Sequence, residues 1–111
     1  MNFQLHGVSF EWDEEKYTVN LWKHGVKFED AAQVFFDPFC KFGDASVEEE
    51  EREFIVGFSF QFQLLFTVFV ERGENIRIIS AREATETEQK NYVRRKYRND
   101  RMRQGQIPAR G

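Results

Sequence analysis

The side chains in this sequence best able to do chemistry are cations set among apolar neighbours. In the stretch Ile76-Arg77-Ile78-Ile79-Ser80-Ala81-Arg82, two arginines sit inside and at the end of what reads as a buried strand. A guanidinium stays charged at physiological pH and forks onto carboxylate or phosphate oxygens. In such a strand it must be paired or must open onto a cleft. Regular alternation puts Arg77, Ile79 and Ala81 on one face and Ile76, Ile78 and Ser80 on the other. The pairing alternative for Arg77 is Glu11, Glu51 or Glu53. A second pair of interest, Lys23-His24, stands just before Gly25. Cations there complement the end of a helix. An imidazole titrating near neutrality could also act as general acid or base. Tyr92 reads as a packing residue whose phenol could donate to a phosphate. Trp12 reads as core.

Other chemistries find little foothold. There is no Gly-rich phosphate loop and no Cys or His cluster at metal-ligand spacing, so neither metal nor cofactor is expected. His6 and His24 are far apart in sequence. Cys40 is the only cysteine, which precludes a disulfide within the chain and points to a reducing, cytoplasmic compartment. The first residues lack the basic and apolar regions of a signal peptide, and no apolar run approaches the ~18 residues of a membrane span.

Positioning these groups requires a core, and 111 residues with 13 Phe supply one. A short strand fits Phe10-Glu11-Trp12. Asp13 is a good N-cap for a helix to about His24, with Tyr17, Leu21 and Trp22 as its apolar residues and Gly25 as its C-cap. A second helix fits Glu29 to Phe36 and stops at Asp37-Pro38. Phe54 to Phe60 alternates, Leu64 to Val70 is a central strand, and Arg72-Gly73-Glu74-Asn75 turns into Ile76–Ala81. The reversal at Ser59–Gln63 has no Gly, Asn or Pro, and as a turn it exposes Phe60 or Phe62 as a contact surface. Thr85-Glu86-Thr87-Glu88 is a capping box for a basic helix to Arg103. The order predicts an α+β fold: a short N-terminal strand, two helices, an antiparallel sheet of three or four strands and a C-terminal basic helix. One domain spans residues 1–103, and 104–111 form a flexible tail.

Charge is unevenly spread. Residues 90–111 carry eight Lys or Arg against Asp100, whereas residues 1–89 hold eight basic and 18 acidic residues. A basic end on an acidic body suits a polyanion or an acidic protein partner.

Taken together, the string from Phe10 to Tyr92 resembles the BrnT toxins of bacterial type II toxin–antitoxin systems. The landmarks are Phe10-Glu11-Trp12-Asp13, Lys16, Asn20, Lys23-His24-Gly25-Val26, Phe28, Phe35, Asp37-Pro38, Arg52, Gly57, Ile76 to Arg82, Ala84-Thr85, Glu88 and Tyr92. The resemblance implies a RelE/ParE-like fold and a small ribonuclease that inhibits translation. It also implies neutralisation by a BrnA-type antitoxin in a hetero-oligomer that meets operator DNA through the antitoxin. The chain departs from the usual pattern at Phe60-Gln61-Phe62-Gln63, where relatives usually have glycine and a basic residue. It departs again at Glu83, often basic in relatives, and at Glu86 and Glu88, where relatives often have more arginine.

A metal-independent ribonuclease can use the 2′-hydroxyl of RNA as its nucleophile. It then needs a base, an acid and cations for the crowded phosphate. On this reading Arg77 and Arg82, with Arg52, hold the phosphate. His24 or Lys23 is the base or acid, and Glu51 is a weaker base. Lys23, Tyr92, Arg94 and Arg95 bind RNA. The alternative is a module of the same fold that binds nucleic acid or the antitoxin without cutting.

Overall fold

Local signals at the helix ends are realised as read. The computed structural model describes residues 1–94. Arg95, the rest of the expected basic helix to Arg103 and the expected tail 104–111 lie outside the described residues. Helix α1 spans Glu14–His24. Its Asp13 cap accepts the Lys16 N–H at 3.1 Å, and Gly25 closes it in the left-handed region at φ 67°. Helix α2 is Phe28–Gln33, tightening into a 3-10 turn over Val34–Phe36 before Asp37-Pro38. Gly57 admits that turn, since a Cβ there would meet the Val34 carbonyl oxygen at 3.0 Å. Helix α3 occupies residues 86–94 of the described chain. Its capping box is formed: the Thr85 N–H donates to Glu88 Oε1 at 2.8 Å, and the Glu88 N–H donates to Thr85 Oγ1 at 3.2 Å.

The sheet is larger than the sequence suggested. Among the described residues six strands, β1 (Asn2–Leu5), β2 (Val8–Glu11), β3 (Lys41–Asp44), β4 (Glu53–Phe58), β5 (Leu64–Arg72) and β6 (Asn75–Glu83), line up in the order β1-β2-β6-β5-β4-β3. Only β2 and β6 pair in parallel, so the sheet is mixed and not antiparallel throughout. The two strands missed are the short edges. β1 pairs with β2 across a His6-Gly7 turn with φ of 49° and 82°, the double positive φ that suits a tight hairpin. β3 has only four residues and takes its register from β4.

Helices α1 and α2 cover one face. Phe10, Trp12, Phe28, Ala31, Ala32, Ile55, Leu65 and Phe69 make the core there. The other face carries Phe54, Phe58, Leu64 and Phe66 packed around Val56, Ala84 and Tyr92 of α3. At burial of about 1.5–3 kcal/mol per large apolar side chain, the first cluster dominates stability. None of the described helices is long and apolar enough to cross a membrane.

Candidate nucleic-acid interface

Arg77 and Arg82 are five residues apart, an odd interval that regular alternation would split between faces. A bulge in β6 prevents this. The ladder pairs Phe69 with Ile78 and Val68 with Ser80, so Ile79 is an extra residue. Alternation restarts out of phase beyond it. Ile78 and Ala81 are both fully buried in the core. Arg77, Ser80 and Arg82 oppose Val70, Val68 and Phe66 on the opposite face. The expectation that Ala81 lies with Arg77, and Ser80 with Ile78, is thereby corrected. The two arginines are tolerated because their shared face is only partly covered.

Helix α1 is pinned beside them by one side chain. β2 pairs with β6 only over Asn75–Arg77, leaving the later edge of β6 to other partners. Buried Asn20 takes that edge. Its Oδ1 accepts the Ala81 N–H at 3.0 Å, and its Nδ2 donates to the carbonyls of Ala81 at 2.8 Å and Val26 at 3.2 Å. One amide thus satisfies three buried backbone groups.

This docking opens a groove of about 480 Å³ between α1 and β6. Lys16, Lys23 and His24 line it from the helix, and Ile79 and Ser80 from the bulge, with Glu15 at its rim. Two lysines and a histidine against one carboxylate give the groove a chemistry suited to an anion. Lys16 and Ser80 were not read as site residues from sequence. The signal for Lys16 was its seven-residue interval from Lys23, which is two helical turns. Ser80 was hidden by the bulge. Trp22, read as part of the apolar side of α1, is 86% exposed next to Lys23.

The remaining candidates are spread out. Arg77 Nη1 lies 2.7 Å from Glu11 Oε2, and Glu11 Oε1 accepts from Asn75 Nδ2 at 3.0 Å. These bonds from Asn75 and Arg77 hold the Glu11 carboxyl below its ordinary range. The pairing alternative read from sequence is therefore realised, with Glu11 as the partner. Arg82 forks onto both oxygens of Glu88 at 2.8 and 2.9 Å, with its guanidinium 4.2 Å above the Phe66 ring. Burial pushes the Glu88 carboxyl up, but bonds from Arg82 and Thr85 outweigh it and leave the group low. Four ladder steps separate Arg77 from Arg82. At a strand rise of about 3.3 Å that is about 13 Å, too far for one phosphate to bridge. They flank the Lys23–His24 groove rather than share its centre.

Arg52 and Tyr92 do not join this groove. Arg52 pairs with Glu50 at 2.6 Å and lines a separate groove with Asp44, Glu51, Glu53 and Glu71, whose charge repels phosphate. Glu51, the weaker candidate base, lies there too. Tyr92 is 3% exposed and donates to Asp37 Oδ2 at 2.6 Å. Burial and that carboxylate push its phenol up. Tyr92 thereby ties α3 to the sheet, and its phenol is committed to Asp37. Arg94 is exposed on α3. Among the described residues, no three His, Cys, Asp or Glu converge to hold a metal.

The lowered carboxylates fix a pH dependence. Their folded values lie below the unfolded reference of about 4.3, so their contribution is complete well above it and is lost as pH falls through the folded values. The urea midpoint should fall between about pH 5 and about pH 3, and the double substitution Glu11→Gln and Glu88→Gln should flatten that decline. An equally steep decline in the double variant would rule these two pairs out as its source.

Known proteins resemble this chain in sequence and in fold. A family profile described as "Ribonuclease toxin, BrnT, of type II toxin-antitoxin system" matches residues 12–88. No curated protein matches the chain. The fold is similar to that of the ribonuclease toxin BrnT of Brucella abortus, whose crystal structure was determined at 1.1 Å resolution. The TM-score is 0.52 at 22% identity, over 69% of this chain and 96% of that one. With most of its length matched by the profile, the chain belongs to the BrnT family of ribonuclease toxins of type II toxin–antitoxin systems.

Proposed function

We propose that this toxin is a metal-independent endoribonuclease with a RelE/ParE-like fold, acting in the cytoplasm to inhibit translation. The observation that carries the reading is the groove that sets Lys16, Lys23 and His24 against Ser80, midway between Arg77 and Arg82. An RNA strand laid along β6 would place one phosphodiester in the groove and its neighbours at the arginines. The 2′-oxygen of the ribose attacks the adjacent phosphorus, and the bond from phosphorus to the 5′-oxygen breaks. The products are a 2′,3′-cyclic phosphate and a free 5′-hydroxyl. His24 fits one of the two proton transfers, because an imidazole ring can either accept or donate a proton. Lys16 and Lys23 stabilise the charge that builds on the phosphoryl oxygens. Arg82 already presents a fork, and a phosphate could replace the Glu88 carboxylate on it.

A BrnA-type antitoxin would neutralise the toxin in a hetero-oligomer and carry the pair to operator DNA. A second reading, a non-catalytic binding or co-repressor module, draws on the fact that Arg77 and Arg82 are already engaged by carboxylates. Incubating purified protein with RNA in EDTA separates the two. Fragments ending in 2′,3′-cyclic phosphate are expected. RNA that is bound and protected but uncut would favour the nucleic-acid module. RNA neither bound nor cut, together with harmless overexpression, would favour the co-repressor.

A further inference from the structure

The β4–β5 turn is built against its own backbone preference. It has no glycine, yet Phe62 adopts φ 64°, in the left-handed region that costs a bulky residue strain. The turn holds because Ser59 ties it: the Ser59 N–H donates to the Gln63 carbonyl at 2.9 Å, and the Gln63 N–H donates to Ser59 Oγ at 3.2 Å. Gln33 Oε1 accepts the Phe60 N–H at 2.8 Å. Glycine at 62 would suit this backbone better. Instead the position carries a ring that is 83% exposed, beside Phe60 at 50%. The His6 ring lies 5.2 Å from Phe36 and 6.0 Å from Phe60, extending the aromatic surface.

These rings border a groove of about 450 Å³, floored by Phe58 and Tyr92. Among the described residues its one charged lining residue is Asp37, and both Asp37 oxygens are already in use, accepting from the Phe39 and Phe58 N–H groups and the Tyr92 hydroxyl. Among the described residues no cation lines this groove itself, so it offers a nucleic-acid backbone less than the groove between α1 and β6 does. A groove on α3 adds exposed Val93 with Lys90 and Arg94, beside Glu86, which lies 3.4 Å from Lys90. The surface is aromatic around Phe60 and Phe62 and carries two cations against one carboxylate along α3.

We propose that this surface binds the antitoxin, through a segment that inserts apolar side chains between Phe36, Phe60 and Phe62 and sets acidic residues against Lys90 and Arg94. The inference rests on membership of a toxin–antitoxin family, which supplies the protein partner. The RNA seat is a different surface, the groove between α1 and β6. Strain at Phe62 is retained for its ring, in keeping with the large rigid aromatics that anchor interfaces.

The test compares wild-type chain with the double substitution Phe60→Ser and Phe62→Gly, titrated with a BrnA-type antitoxin that binds and neutralises the wild-type chain. Binding should weaken by about a hundredfold or more. RNA cleavage and RNA affinity should stay within twofold of wild type, and the melting temperature should not fall. Should the double variant fail to fold, Phe62→Gly alone relieves backbone strain and is expected to weaken antitoxin binding at least about tenfold. Antitoxin affinity unchanged within threefold would overturn the proposal. So would lost RNA affinity with antitoxin binding intact, which would make the rings a nucleobase platform. Lost self-association with antitoxin binding intact would likewise reassign the face to a second copy of the chain. Weakened antitoxin binding in a chain that never cuts RNA would refute the ribonuclease reading and leave this surface standing.

Discussion

Arg82→Ala should slow RNA cleavage by about a hundredfold to a thousandfold, the usual loss when one donor to the transition-state charge is removed. The chain should stay folded. Arg82 is partly exposed, and an ion pair in such a setting contributes up to about 1 kcal/mol. The difficulty is that Arg82 already has a partner, so lost activity in Arg82→Ala alone could reflect a disturbed α3. Glu88→Gln resolves this. Glutamine can still serve the capping box with Thr85, so the start of α3 is preserved. If Arg82 exists to pair with Glu88, both substitutions should impair the protein in the same direction. If Arg82 is a phosphate ligand held in reserve, Glu88→Gln should raise RNA affinity while Arg82→Ala lowers it. Arg82→Lys keeps the charge but loses the fork and should recover only part of the rate. Binding isotherms and single-turnover rates on the three variants give the signs directly.

Asn20→Ala should destabilise the fold by about 3 kcal/mol, since it strands a buried N–H and two buried carbonyls at about 1–3 kcal/mol for each unsatisfied group, partly relieved by relaxation. That is a large share of a typical 5–15 kcal/mol. The melting temperature should drop by more than about 10 °C. The groove should suffer as well, because Asn20 registers Lys16, Lys23 and His24 against Ser80. Asn20→Asp keeps an acceptor for the Ala81 N–H but loses both donors, so it should fall in the same direction. A drop below about 1 kcal/mol would mean that α1 is held by Tyr17 and its apolar neighbours and not by this amide.

How much of this was legible in the residues depended on the range of the interactions. Asp13, Gly25 and Thr85 act within four residues of themselves, and their caps form where the sequence placed them. Asp37-Pro38 ends the second helical segment as read. The reversal at Ser59–Gln63 was harder to read because it lacks Gly, Asn and Pro, but its consequence as a turn, exposure of Phe60 or Phe62, is found for both rings. Long-range pairing was not. Nothing near Ile79 announces a bulge, since the extra residue is set by the fit of β6 to β5. Every facing assignment beyond it therefore reversed. The parallel pairing of β2 with β6 joins residues more than 60 positions apart, so the Arg77–Glu11 contact could be named only as one of three options. Arg52 and Tyr92 show the same limit from the functional side. Their types suit phosphate, but the fold delivers one to an acidic groove and the other to Asp37.

The central claim, that a phosphodiester sits between α1 and β6, can be tested with an RNA strand whose 2′-hydroxyls are replaced by hydrogen, so that it binds without being cut. Titrated into the isotopically labelled protein, it should shift the amide resonances of Lys16, Lys23, His24, Ile79 and Ser80 first, with Arg77 and Arg82 following as longer strands reach the flanks. Shifts confined to the Phe60–Phe62 turn or to the acidic groove around Arg52, with the α1–β6 groove silent, would contradict it.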